Sequence, residues 1–104
     1  MTVKIDSLTM NGGRRTYCDV EVIFSEYFAG GTAIILGGED GPIGVATVYL
    51  DGQPPASGCV WIKDWSENEG VFDSLTKAGV IEPTGRTAPT GFVVAHEAQL
   101  LVQS

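Results

Sequence analysis

Along the front half of the chain, apolar and polar residues alternate in short runs punctuated by glycine, a period of two that predicts β-strands. Thr2 to Met10 sets Val3 and Ile5 against Lys4 and Asp6, and Asn11-Gly12-Gly13 then supplies a hairpin signal. From Thr16 to Ser25 the alternation is clearest, with Cys18, Val20, Val22 and Phe24 facing one way and Tyr17, Asp19, Glu21 and Ile23 the other. Tyr27 to Gly31 is a turn carrying two aromatics. Thr32 to Leu36 makes a third strand, ended by the polar loop Gly37 to Pro42. Ile43 to Leu50 makes a fourth, and Asp51 to Pro55 a connection that Pro54-Pro55 bars from a central strand. A fifth strand, Gly58 to Lys63, sets Val60 and Ile62 against Cys59 and Trp61.

The period then changes to that of a helix over 66–78. Ser66 and Glu69 have the S-x-x-E spacing of a capping box, and Glu67, Glu69 and Asp73 suit the positive end of the macrodipole. Val71, Phe72, Leu75 and Ala78 form the apolar stripe, and Gly79 supplies a left-handed stop that folds Val80 back on Leu75. Gly70 within the first turns costs about 1 kcal/mol relative to alanine, which points to close packing of the helix on the sheet, against Trp61 or Trp65. Val80-Ile81, a loop from Pro83 to Gly91 and an apolar run from Phe92 to Val102 follow. Consecutive strands with one late helix predict a single α+β domain over 1–104. Its expected form is a twisted, mostly antiparallel, partly barrel-like sheet of about five to seven strands with the helix packed on it.

Composition adds a charge asymmetry to this picture. The 104 residues carry a formal charge of −7. Between Thr16 and Ile62 there is no Lys or Arg, while Asp19, Glu21, Glu26, Glu39, Asp40 and Asp51 accumulate. Such a surface repels nucleic acid and anionic lipid, so direct nucleic-acid binding is not expected. Two readings follow: an acidic surface that only maintains solubility, or an acidic face that docks on a basic partner. No run is long and apolar enough for a spanning helix and no signal peptide is evident, so a cytoplasmic, non-membrane protein is expected.

Candidate chemistry is sparse, and no catalytic residue, metal or cofactor is expected. Cys18 and Cys59 lack zinc spacing and read as free thiols, with their proximity left open. His96 is the only histidine and no nucleophile motif accompanies it, so a surface or edge-strand imidazole is the plainer account. Gly37 to Gly41 precedes a strand and carries two carboxylates, which opposes a phosphate cradle and falls short of a calcium site. Glu67 and Glu69, two apart, diverge on a helix, and capping explains the second. Arg86 lies between two Pro-Thr-Gly triplets that fix its loop. It either pairs internally with Glu82, Asp64 or Glu97 or reaches a partner. Tyr27, Phe28, Tyr49, Trp61 and Trp65 are either interface anchors or core.

The Trp61–Gly70 run, the helix end Ala78-Gly-Val-Ile81, Pro83-Thr-Gly-Arg86 and Pro89-Thr-Gly-Phe-Val93 resemble a family of small bacterial proteins. That family, a domain of unknown function, accompanies mobile elements and prophages; Thr32-Ala-Ile34 and Ala46-Thr-Val48 match it more loosely. The family carries no established catalytic residues. The resemblance implies an anti-defence role, as in anti-CRISPR proteins: inhibition of a host CRISPR effector or restriction system by protein–protein contact. The expected partner is a basic surface of a host protein or ribonucleoprotein complex. Asp19, Glu21, Glu26, Glu39, Asp40, Tyr27 and Arg86 are the expected contact residues, with Asp19 and Glu21 ~7 Å apart along a strand. The alternative is a homodimeric accessory module without inhibitory activity.

Overall fold

The computed structural model describes residues 2–102 as seven strands and one α-helix. The strands are β1 (Thr2–Met10), β2 (Arg15–Glu26), β3 (Thr32–Gly38), β4 (Gly41–Val45), β5 (Cys59–Ile62), β6 (Ile81–Thr90) and β7 (Val93–Leu100); α1 spans Val71–Lys77. They form two antiparallel sheets, β1-β2-β3-β4 and β5-β7-β6, neither of which closes on itself. One principal core lies where Ile5, Leu8, Val20, Val22, Ile34 and Leu36 meet Val60, Ile62, Ala98 and the helix residues Val71 and Leu75. A smaller cluster of Leu50, Trp61, Ala88 and Ala95 covers the opposite face of the second sheet. The predicted split of β5 is therefore real, with Val60 and Ile62 serving one core and Trp61 the other.

The chain between the sheets also links them. The expected strand Ile43 to Leu50 pairs with β3 to Val45, with a last bond from Ala46 N–H to the Ile34 carbonyl at 2.8 Å. Thr47 then bridges to Ile62, and Lys63 N–H donates to the Ala46 carbonyl at 2.8 Å. Asn68, 2% exposed, holds the junction by donating from Nδ2 to the Val45 carbonyl at 2.8 Å. The loop expected at Gly37–Pro42 is a tight hairpin, with Gly38 opposite Gly41 and only Glu39-Asp40 between.

The alternation in β2 breaks at Asp19, which adopts a left-handed φ of 53°. Tyr17 consequently packs on the core and Cys18 is exposed, the reverse of the expected phase, while Val20 and Val22 remain buried. The facing strand slips at the same level: Val3 and Ile5 face inward, Asp6 and Ser7 are both exposed, and Leu8 and Met10 face inward again. A matched slip leaves the pairing register intact across it, from Ile5 with Val20 to Ser7 with Cys18.

The helix is shorter than the predicted 66–78, and its cap differs. Ser66–Asn68 is a turn of 3₁₀ helix, and Ser66 itself has φ 55° and makes no side-chain cap. Asp64 caps instead, its Oδ1 accepting from the Gly70 and Phe72 N–H groups at 3.0 Å each. Gly70 stands at the N-cap with φ 111°, and a Cβ there would lie 2.6 Å from the Thr9 carbonyl oxygen. The close approach expected of Gly70 exists, but to β1 rather than to a tryptophan. At the other end the expected stop is present, with Val80 N–H donating to Leu75 O and Gly79 N–H to Thr76 O.

The segment expected as a loop from Pro83 to Gly91 is strand as far as Thr90. Pro83 pairs with Ala98 and Pro89 with Val94, a placement open to proline because β6 is an edge strand. The first Pro-Thr-Gly forms a bulge, with Gly85 at φ 90° and the register shifting between Pro83 and Thr87. The second closes the β6–β7 hairpin at Gly91.

Candidate acidic surface and buried ion pair

Strand register decides which expected contact residues come together. Glu21 and Gly37 are the last pair between β2 and β3, and that register carried two residues further sets Asp19 toward the Glu39-Asp40 turn. On its other side the β1–β2 register sets Asp6 level with Asp19. Neighbouring strands are ~5 Å apart, so Asp6, Asp19, Glu39 and Asp40, all exposed, lie around the β3–β4 turn beside the middle of β1 and β2, with Glu21 one row away. Lys4, opposite Glu21, is the base nearest this group in the strand register. Asp6 was not singled out from sequence, because only pairing with β2 brings it there.

Glu26, Tyr27 and Arg86 lie elsewhere. Glu26 ends β2 beside Thr32, about 17 Å along the strand from Glu21 at the usual rise. Tyr27 begins the β2–β3 turn; its hydroxyl shares a 2.7 Å hydrogen bond with Thr47 Oγ1, which accepts the Ile34 N–H. Its ring tilts against Tyr49 at 5.6 Å.

Arg86 belongs to the second sheet, where its Nη1 donates to Glu97 Oε2 at 2.8 Å. Of Glu82, Asp64 and Glu97, Glu97 is the one engaged. Glu97 is 1% exposed and also accepts from Thr84 Oγ1 at 2.6 Å and from Ala56 N–H at 3.0 Å. Burial pushes its carboxyl up, but Thr84, Ala56 and the Arg86 guanidinium outweigh that and hold it below the usual carboxylate range. Arg86 also lies over the Trp61 ring, 5.7 Å from its centroid. The bulge at Gly85 aims both Thr84 and Arg86 at Glu97, a coordination no local sequence pattern signals.

The aromatics divide. Trp61 is buried, its Nε1 donating to the Gln53 carbonyl at 2.6 Å, and Trp65 is half-buried against the same cluster. Phe28 and Phe92 are fully exposed, at the β2–β3 turn and the β6–β7 hairpin; the sequence pattern marks Phe92 only as the start of an apolar run. His96 stacks on Phe72 at 4.8 Å. It pairs with Ile62, whereas Cys59 pairs with Gln99 on the opposite face of β5–β7. The two do not form a cysteine–histidine pair. Cys18 and Cys59 are both free thiols and lie in different sheets. Burial first, then the Glu97 charge, pushes the Cys59 thiol up, away from the reactive thiolate. Among the described residues, no group of three or more His, Cys, Asp or Glu could hold a metal ion, and no helix is long and apolar enough to cross a membrane.

No known protein family, curated protein or solved structure matches the chain.

Proposed function

We propose that this is a non-enzymatic binding protein that docks the acidic face around its β3–β4 turn on a basic surface of a host nucleic-acid-handling complex. The observation that carries the reading is the convergence of Asp6, Asp19, Glu39 and Asp40 from β1, β2 and the β3–β4 turn, with Glu21 beside them. Like charges on facing strands cost stability, so their accumulation at one level favours a use for the field they create. Carboxylates spaced by strand geometry present the charge pattern a phosphate-binding surface attracts, and such a field speeds encounter with a basic partner. The resemblance to mobile-element proteins directs the choice of partner to CRISPR effectors and restriction enzymes. In this reading Arg86 supports Glu97 and is not a contact, and Glu26 and Tyr27 form a separate surface.

The test is inhibition of DNA cleavage by purified CRISPR effector and restriction nucleases from candidate hosts, at low and high salt. The wild-type protein should slow cleavage by a member of the panel, less so at high salt. The variant Asp19→Asn/Glu21→Gln/Glu39→Gln/Asp40→Asn should lose the effect. Unchanged cleavage across the panel, or equal inhibition by the neutralised variant, refutes the reading. A second reading, a homodimeric accessory module, draws on the fully exposed rings of Phe28 and Phe92. Sedimentation velocity at two concentrations, repeated with Phe28→Ser/Phe92→Ser, separates it from the first: a dimer abolished by that variant supports this second reading.

A further inference from the structure

The strand edges of this fold are not treated alike. β6 carries Pro83 and Pro89 and a bulge at Gly85, devices that deny its outer edge to another chain. β1, one edge of the first sheet, has nine residues and no proline, its only charges being Lys4 and Asp6, and its one irregularity is the slip at Asp6 and Ser7. Its last turn is occupied by the helix: Thr9 N–H donates to Ser74 Oγ at 2.9 Å, and the Ser74 hydroxyl donates back to the Thr9 carbonyl at 3.3 Å. Among the described residues, the backbone of Thr2–Leu8 bonds only to β2.

That unpaired stretch forms one wall of an open groove of about 900 Å³, and α1 with the chain at Val80 and Val102 forms the other. Val3, Ile5 and Val80 give it an apolar floor. A groove between a free strand edge and a helix is the geometry in which an extended segment adds as one more strand, main-chain bonds giving affinity and alternate side chains giving selectivity. Charge selects the occupant. Lys77 and Asp73 pair with each other at 2.9 Å, which leaves Asp6, Glu69 and the helix-capping Asp64 on the groove against Lys4 alone.

We propose that this groove takes an extended partner segment, apolar on one face and bearing lysine or arginine, as a strand beside β1. The surface is distinct from the acidic face around the β3–β4 turn and shares only Asp6 with it, so the proposal stands or falls apart from the function proposed above.

The experiment measures binding of a labelled, end-capped peptide alternating valine with lysine and threonine, by fluorescence anisotropy on the full chain. Parallel measurements use its glutamate counterpart and a version N-methylated at alternate amides. The lysine peptide should bind, and both controls should bind at least about tenfold more weakly. Ala78→Trp, an exposed position on the groove wall, should weaken binding by a similar factor with an unchanged circular dichroism spectrum. The fourfold acidic variant, which alters none of the groove residues, should bind as wild type does. Hydrogen exchange should slow at Thr2–Ser7 when peptide is added. Equal binding of the N-methylated peptide, no binding of the lysine peptide, or concentration-dependent dimerisation through this edge that excludes peptide each overturns the proposal.

Discussion

Glu97 is the residue whose environment is most fully determined. A carboxylate buried in a sheet survives as an ion only where its lone pairs are taken up, and Thr84, Ala56 and Arg86 take them up. Removing one partner leaves the charge buried and costs more than the pair gains. Arg86→Ala should therefore destabilise the fold by roughly 2–3 kcal/mol, the upper range being unreachable because the Arg86 side chain is 58% exposed. Urea denaturation checks this. The sign with pH follows from the direction of the shift: the folded-state pKa lies below that of the unfolded chain. The network's contribution is then full above the usual carboxylate range and is lost as pH falls through the folded value. Glu97→Gln should flatten the fall in stability at acid pH that wild type shows, measured by denaturation at stepped pH. The flanking Pro-Thr-Gly triplets made Arg86 legible as a residue held in place, with internal pairing and partner contact both open. Glu97 as its single partner was not legible, since the pairing depends on where a bulge forms in the neighbouring strand.

At the level of elements, the helix shows how one pattern supports two different caps. Ser66 and Glu69 have capping-box spacing, yet the backbone is left-handed at Ser66 and the α-helix begins only at Val71. The box loses to Asp64, whose carboxylate satisfies two N–H groups from outside the turn. Asp64→Ala should cost about 1–2 kcal/mol, whereas Ser66→Ala should stay within about 0.5 kcal/mol. Gly70→Ala should cost about 3 kcal/mol or more, because the Cβ meets the Thr9 carbonyl and φ is positive. Thermal and urea unfolding of the three variants checks the ranking, and a larger loss at Ser66 than at Asp64 would restore the capping box. The helix C-terminus, β1, β5 and the strand-rich order were readable because each rests on local periodicity and punctuation. β6 was not, for a related reason. Proline and glycine argue against a central strand, but only the sheet order reveals that β6 lies at an edge where both are allowed. The phase slip at Asp6 and Asp19 was hidden likewise, since alternation continues through Cys18 in the sequence although the backbone turns at Asp19.

For the whole molecule the balance to be explained is a formal charge of −7 with several of the acids set side by side. Sequences usually agree with their folds at every level, and a local conflict kept without compensation points to function. Strand register makes this conflict specific: Asp6, Asp19 and the Glu39-Asp40 turn repel across neighbouring strands while no base in the strand register lies nearer than Lys4. If the cluster serves binding at the expense of folding, neutralising it should stabilise the free protein. Asp19→Asn/Glu21→Gln/Glu39→Gln/Asp40→Asn should raise the melting temperature at low ionic strength, Asn at position 19 being chosen because it tolerates the left-handed backbone there. Raising salt from ~0.01 to 1 M shortens the screening length from about 30 to 3 Å. Wild type should therefore gain stability with salt and the variant should gain less, so that the two melting curves converge. A neutralised protein that melts lower than wild type at low salt would instead make these carboxylates part of what holds the first sheet together, and the docking surface would have to be sought elsewhere.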